Sequence, residues 1–142
     1  MHVVNRDTLL NRPEPAQTAR RHALDILEAA LDSVDPYGAT KSVLCLNDGK
    51  LSAGDVTIDL ASIANVYVIG FGKASVGMAR AVEMLLPVIE GIIISTEETK
   101  LDHIQVLQGD HPLPSPRNVE ATRKLLDLVD QAKPNDLIIG LI

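Results

Sequence analysis

The sequence predicts an α/β fold, a three-layer sandwich in which helices cover both faces of a mainly parallel sheet. From residue 66 onward, short apolar runs alternate with amphipathic helical stretches, which is the pattern of β-α-β units. The apolar runs are continuous rather than alternating, as expected for strands that are buried on both faces. With one Phe, two Tyr and no Trp, the core is left to Val, Ile, Leu and Ala, which suits such a sheet.

The N-terminal part is predicted to be an arm followed by a peripheral helix. Residues 1–17 include Pro13 and Pro15 and have no sustained periodicity, so we expect an arm outside a domain formed by residues 18–142. Apolar residues then recur at helical spacing, which predicts a helix over residues 18–33.

A peripheral β-hairpin is predicted after this helix. Residues 43–46 form its first strand, and the second contains Leu51 and residues 56–60, with an Asn-Asp-Gly-Lys turn between the strands. The one cysteine, Cys45, lies in the first apolar stretch, so we expect a small core residue rather than a nucleophile. A single cysteine and the absence of an apolar leader favour a reducing, cytoplasmic setting.

The parallel sheet is predicted to contain four strands. The expected elements are strands at residues 66–69, 92–94, 104–107 and 137–142 and helices at residues 74–86 and 116–131. Because a buried strand such as 137–142 normally leads into another loop and helix, we expect the chain to be the front part of a longer protein. Ligands of parallel sheets bind at the carboxyl ends of the strands.

The strongest candidate site is the glycine-rich turn between the first predicted sheet strand and its helix. Glycines there let the backbone approach a ligand and direct helix N–H groups towards an anion. Lys73 would oppose the helix macrodipole by about 0.3–1 kcal/mol unless a negative group lies between them. The turn predicts a phosphate or carboxylate site, with close packing of the junction as the structural alternative. The candidate residues are Gly70, Phe71, Gly72, Lys73 and Ala74.

Two known phosphate-binding patterns do not fit this turn. A dinucleotide-binding fingerprint requires a third glycine where Ser75 stands. The phosphate loop of nucleoside triphosphatases requires glycine where Tyr67 stands and Ser or Thr where Ala74 stands. The turn therefore belongs to neither class.

A second candidate site is the proline-rich loop over residues 109–116. Ser115 and Pro116 are a good N-cap and a good first helical residue, so helix initiation accounts for the end of the loop. Asp110 and His111 are not needed for that role, and a rigid loop at a carboxyl end can hold them against a ligand. The alternative for His111 is a hydrogen-bonded structural histidine.

Other polar features give weaker signals. Ser95 follows a predicted strand, where a hydroxyl could contact substrate or Mg²⁺ but commonly caps a turn. The His and Cys residues show no ligand spacing, so we expect no protein-bound metal. The 13 Lys and Arg against 19 Asp and Glu give a net charge of −6 without a basic stripe, which argues against nucleic acid. No apolar run reaches membrane-spanning length.

Three segments in order carry a family resemblance. They are residues 70–74 with Met78-Ala79, the Gly-Asp-His-Pro-Leu-Pro segment at 109–114, and residues 135–142. In combination, though not singly, they resemble the N-terminal, MOFRL-associated part of class II glycerate kinases, over about residues 18–142.

This resemblance implies a Rossmann-like N-terminal domain of a two-domain kinase that uses ATP to phosphorylate the 2-hydroxyl of D-glycerate. It implies that Lys73 is the active-site lysine and that Mg²⁺ arrives with ATP. It also implies that a Gly/Ser-rich loop and further catalytic Asp and Arg residues lie beyond residues 137–142. The 142-residue chain alone is therefore expected to be inactive.

Two other functions remain open. The Gly70-Phe71-Gly72 segment also suits an NAD(P)-dependent reductase of hydroxypyruvate or tartronate semialdehyde, although Ser75 counts against it. A non-catalytic α/β fragment that keeps the fold and an anion site is the alternative from another class.

Overall fold

A computed structural model describes residues 3–142. In chain order, its elements are α1 (Arg6–Leu10), α2 (Ala16–Ser33), α3 (Pro36–Val43), β1 (Leu44–Asn47), β2 (Lys50–Ala53), β3 (Val56–Asp59), β4 (Val66–Phe71), α4 (Ser75–Leu85), β5 (Glu90–Ser95), β6 (Ile104–Gln108), α5 (Pro116–Gln131) and β7 (Leu137–Leu141). Among these residues, no helix combines the length and apolar character needed to cross a membrane.

The central sheet has four parallel strands in the order β6-β5-β4-β7. The chain moves outward from β4 to β6, and α5 then returns it to the other side of β4. With β4 counted as the first strand, this is the order 3-2-1-4, which matches the first four strands of a Rossmann sheet. The predicted α/β fold with a mainly parallel sheet is confirmed, and α5 has the predicted bounds.

The two faces of the sheet are covered by different helices. On one face, fully buried Val68 and Ile93 pack with Val82 of α4. On the other face, Ile92 packs against Leu125, which is 9% exposed, in α5. Successive side chains of a strand point to opposite faces, so a continuous apolar run supplies both cores.

The N-terminal region contains a helix within the predicted arm. The guanidinium of Arg6 in α1 donates hydrogen bonds to the carboxylates of Asp25 and Glu28 in α2, the latter at 2.7 Å. The hydrogen bond with Asp25 is the main cause of a raised Arg6 pKa. A five-residue helix shows no periodicity of its own, and its position depends on this contact with α2.

Helix α3 is absent from the sequence prediction. Its Pro-Tyr-Gly start resembles a turn, because glycine disfavours helices. The local signals for a helix are nevertheless present, since Pro36 is the first helical residue and the Asp35 carboxylate accepts a hydrogen bond from the Gly38 N–H at 2.8 Å.

Strands β1, β2 and β3 form an antiparallel sheet, which corrects the predicted two-stranded hairpin. A second turn at Gly54, with φ of +57°, divides the predicted second strand. Cys45 is exposed, so the prediction of a core cysteine is wrong. Successive side chains of a strand point to opposite faces, so Leu44 and Leu46, the neighbours of Cys45, point towards the main core. Leu51 of β2 is part of this core and is 4% exposed.

Two carboxylates fix the amino ends of sheet strands. Asp136, before β7, accepts hydrogen bonds from the Lys133 N–H and the Asn65 side-chain amide, both at 2.8 Å. The Lys133 hydrogen bond is the main cause of a lowered Asp136 pKa. Glu83 of α4 accepts hydrogen bonds from the backbone N–H groups of residues 102–104 at the start of β6.

Candidate functional site

A cavity of about 460 Å³ lies at the carboxyl ends of β4, β5 and β6. This volume falls within the range of about 300–1,000 Å³ typical of small-molecule sites. Six predicted site residues line it, namely Phe71, Gly72, Lys73, Ser95, Asp110 and His111. Four further lining residues were not among the predicted site residues, namely Ile94, Thr96, Gly109 and Asn118.

Two predicted site residues, Gly70 and Ala74, do not line the cavity. Gly70 is buried within β4, where an added Cβ would lie 2.6 Å from the Leu141 carbonyl oxygen and 2.9 Å from Ile93 Cγ2. The structure therefore places Gly70 where close strand packing requires it, rather than at a ligand. Ala74 immediately precedes α4.

The turn between β4 and α4 is fixed by hydrogen bonds on both sides of Gly72, whose φ is +100°. The Gly72 N–H donates to the Ile94 carbonyl at 2.9 Å. The Gly72 carbonyl accepts from the backbone N–H of Ser75 at 3.3 Å and from its hydroxyl at 2.6 Å. The Gly72 N–H is therefore occupied and is not available to an anion.

The positive groups left at this turn are those of the next two residues. Within residues 3–142, the backbone N–H groups of Lys73 and Ala74 have no hydrogen-bond partner. Helix α4 has no side-chain cap and no acidic residue in its first turn. The exposed Lys73 ammonium forms no ion pair with any described residue. Lys73 and the Ala74 N–H thus offer uncompensated positive charge beside the cavity, which suits an anionic group.

The loop between β6 and α5 has a different hydrogen-bond arrangement. The Ser115 hydroxyl accepts a hydrogen bond from the Arg117 N–H at 3.2 Å, which confirms Ser115 as N-cap. The Asn118 side-chain oxygen accepts from the N–H groups of Ser115 at 3.0 Å and Asp110 at 3.1 Å. The helix start is therefore satisfied within the protein.

The two polar candidates in this loop differ in their contacts. The Asp110 carboxylate accepts a hydrogen bond from the Ser115 hydroxyl and lies 4.0 Å from the Arg117 guanidinium. Asp110 thus takes part in starting α5, which corrects the interpretation that it is not needed there. The His111 imidazole is exposed, lines the cavity and has no hydrogen-bond partner among residues 3–142, so it remains available to a ligand.

Ser95 lines the cavity and is 3% exposed. Its hydroxyl accepts a hydrogen bond from the Glu97 N–H at 3.2 Å, and its carbonyl accepts from the Gly109 N–H at 2.8 Å. Ser95 therefore connects the loop that follows β5 with the loop that follows β6, and its hydroxyl caps a turn, as the structural alternative predicts. Within the described part of the chain, no group of three or more His, Cys, Asp or Glu residues could hold a metal ion.

Asn118 is the main cavity residue that the sequence interpretation missed. A local signal existed, because an amide at the third helical position after a serine N-cap resembles a capping box. Its contact with Gly109 had no such signal. An added Cβ on Gly109 would lie 3.0 Å from Asn118 Nδ2 and 2.9 Å from Ile94 Cγ2.

Comparisons with known proteins place these observations in context. The profile of the family described as "Domain of unknown function (DUF4147)" matches residues 22–142. A "Glycerate 2-kinase" of Pyrococcus horikoshii is 29% identical over 129 residues, covering 89% of this chain and 29% of that protein. A "Putative hydroxypyruvate reductase" of Agrobacterium vitis is 33% identical over 79 residues, covering 53% of this chain and 18% of that protein.

A solved structure shows the same fold. A crystal structure of a Pyrococcus horikoshii OT3 protein superimposes with a TM-score of 0.77 at 28% identity, covering 87% of this chain and 28% of that one. The chain therefore spans less than a third of the length of these relatives.

Proposed function

The chain belongs to the family described as "Domain of unknown function (DUF4147)", and from this premise we propose that it is the N-terminal domain of a glycerate kinase. The proposed reaction transfers a phosphoryl group from ATP to the 2-hydroxyl of D-glycerate and gives 2-phosphoglycerate. Residues 18–142 form the domain, preceded by residues 1–17, and its location is cytoplasmic. The proposal is carried by Lys73, which lines the cavity and forms no ion pair with any residue that the structure describes.

Electrostatic stabilisation is the contribution proposed for this domain. Phosphoryl transfer depends mainly on positioning and on groups that stabilise negative charge. Lys73 Nζ and the Ala74 N–H hold an anionic group, either the transferring phosphoryl group or the glycerate carboxylate. His111 donates or accepts a hydrogen bond at a polar group of D-glycerate in the same cavity.

ATP supplies the phosphoryl group, and Mg²⁺ accompanies its phosphates. The cavity residues fit this arrangement better than a protein metal cage, because Lys73 contributes a cation and the described residues include no cluster of metal ligands. The proposed partners of this chain are therefore small molecules, not nucleic acid or a membrane.

We propose further that a region outside this chain completes the cleft. The named glycerate 2-kinase relative is matched over only 29% of its length. The resemblance to glycerate kinases implies that this region contains a Gly/Ser-rich loop and further catalytic Asp and Arg residues. The protein that contains both regions is called the two-domain protein below.

The test is an assay of ADP formation with ATP, Mg²⁺ and D-glycerate. We expect glycerate-dependent ADP and 2-phosphoglycerate from the two-domain protein and no turnover by the purified 142-residue chain. Turnover by the chain alone would contradict the need for a second region. Absence of both ADP formation and cofactor oxidation in the two-domain protein would favour the non-catalytic module.

A reductase is the second candidate, because two relatives from Agrobacterium vitis carry the name "Putative hydroxypyruvate reductase". Dinucleotide binding at this turn is disfavoured, because the fingerprint requires its third glycine at the position of Ser75. The Ser75 side chain is fully buried there, and its hydroxyl donates a hydrogen bond to the Gly72 carbonyl. Oxidation of a nicotinamide cofactor with hydroxypyruvate, without ADP formation, would replace the kinase proposal with this one.

A further inference from the structure

The segment that carries His111 lies exposed between two hydrogen-bonded ends. Within the described residues, no hydrogen bond is made by residues 111–114, and Leu113 is 80% exposed. Asp110 precedes this segment and Ser115 follows it. The position of the His111 imidazole therefore depends on how these two end residues are held.

One side chain forms hydrogen bonds with the backbone of both ends. The Asn118 side-chain oxygen accepts hydrogen bonds from the N–H groups of Asp110 at 3.1 Å and Ser115 at 3.0 Å. Its amide nitrogen donates to the Asp110 carbonyl at 3.1 Å. The half-buried Asn118 also lines the cavity and packs against Gly109, where a Cβ would lie 3.0 Å from Asn118 Nδ2.

Helix capping does not account for this arrangement. A capping box needs only the hydrogen bonds between Asn118 and Ser115, and Glu or Gln usually supplies them. The two hydrogen bonds with Asp110 reach eight residues back along the chain and satisfy no helix N–H group. They require a donor and an acceptor on one short side chain, which an amide provides and an ionised carboxylate does not.

We propose that Asn118 is a positioning residue that fixes the loop on both sides of His111 and so directs the imidazole into the cavity before a ligand binds. The proposal deepens the proposed function, on which it rests for the identity of the ligand. Asn118 acts through His111 and the loop backbone.

The test begins with amide hydrogen exchange in the ¹⁵N-labelled chain, which requires neither ligand nor activity. In Asn118→Ala, we expect faster exchange at both Asp110 and Ser115, by about threefold to tenfold at each, the range that one hydrogen bond contributes. Thr122→Ala is the matched control, because the Thr122 hydroxyl lies one turn later and, among residues 3–142, bonds only the Asn118 carbonyl, at 2.8 Å. The control should leave both exchange rates unchanged.

Asn118→Asp separates positioning from capping. It keeps the shape and an acceptor for Ser115 but places a carboxylate oxygen against the Asp110 carbonyl. We expect faster exchange at Asp110 and little change at Ser115. Faster exchange at Ser115 alone in either variant, or unchanged exchange at Asp110 in both, would overturn the proposal.

Titration of the two-domain protein with D-glycerate, followed through the His111 imidazole signals, connects the loop to binding. We expect Asn118→Ala to raise the Kd by about tenfold relative to Thr122→Ala, a loss comparable to one hydrogen bond. An unchanged Kd would show that the loop is held for stability alone. If the unsubstituted two-domain protein binds no D-glycerate, the proposed function loses support, whereas the exchange rates still decide whether Asn118 holds the loop.

Discussion

The β4–α4 turn and the β6–α5 loop both lead from a parallel strand into a helix beside the same cavity, but their hydrogen bonding differs. Ser115 and Asn118 satisfy the start of α5, whereas α4 has no side-chain cap. The N–H groups of Lys73 and Ala74 remain unpaired within residues 3–142. A helix start completed by its own side chains supports the cavity wall, and one left incomplete suits an anionic ligand.

The glycines of the two loops are required for different reasons. Gly72 has φ of +100° and nothing within 4 Å of an added Cβ, so its backbone conformation is the constraint. Gly109 has no left-handed conformation but is crowded by Ile94 and Asn118. The turn at Gly72 therefore needs backbone freedom, whereas the loop at Gly109 needs space.

The largest expected effect is on catalysis, from Lys73→Ala in the two-domain protein. Removing a preorganised positive group should lower the rate of phosphoryl transfer by at least ~10²-fold. Lys73→Arg should lower this rate less, because the planar guanidinium keeps the positive charge but does not reproduce the compact ammonium. Steady-state kinetics with ATP and D-glycerate provide the measurement.

The melting temperature is the control for Lys73→Ala. Because the ammonium opposes the α4 dipole, stability should be unchanged or slightly raised. Near-normal turnover would reduce Lys73 to a surface residue and remove the functional contrast between the two loops.

Gly72→Ala should lower the free energy of unfolding by about 1–3 kcal/mol, the cost of holding a non-glycine residue in an unfavourable backbone region. Gly140→Ala is the matched control, because Gly140 also has nothing within 4 Å of an added Cβ but has no left-handed φ. Urea unfolding of the two variants tests the difference. Equal stabilities would show that the turn tolerates a side chain and is not conformationally constrained.

His111→Ala should reduce kcat/KM for D-glycerate by about tenfold, the value of one hydrogen bond to a ligand. Its effect on the melting temperature should be small, because the imidazole has no hydrogen-bond partner among residues 3–142. Kinetics and a thermal melt of the two-domain protein measure the two effects. A large loss of melting temperature with normal kinetics would instead identify His111 as a structural residue.

The smallest expected effect comes from Ser115→Ala, which removes the N-cap of α5. We expect a loss of about 1 kcal/mol in the free energy of unfolding, as for other N-caps. Ser33→Ala is a suitable control, since its hydroxyl bonds only the Ala30 carbonyl of its own helix, at 2.7 Å. If the two variants unfold alike, the cap contributes little and the two helix starts are less different than their hydrogen bonds indicate.

The predictable parts of the fold and site depend on neighbours in sequence. Continuous apolar runs located the four parallel strands, and a Ser-Pro pair located the start of α5. Helix α3 was not predicted, although Asp35 caps it and Pro36 begins it. The third strand of the antiparallel sheet was missed because the turn at Gly54 was not recognised.

The sequence by itself determined the alternation of strands and helices, the position of a glycine-lysine turn and the serine cap, because periodicity and capping act within a few residues. Tertiary structure alone decided that the Gly72 N–H is taken by Ile94 of the neighbouring strand and that Gly70 packs against Leu141. Strand pairing joins residues distant along the chain, so the choice of which N–H groups stay unpaired at the cavity is made only when the sheet assembles.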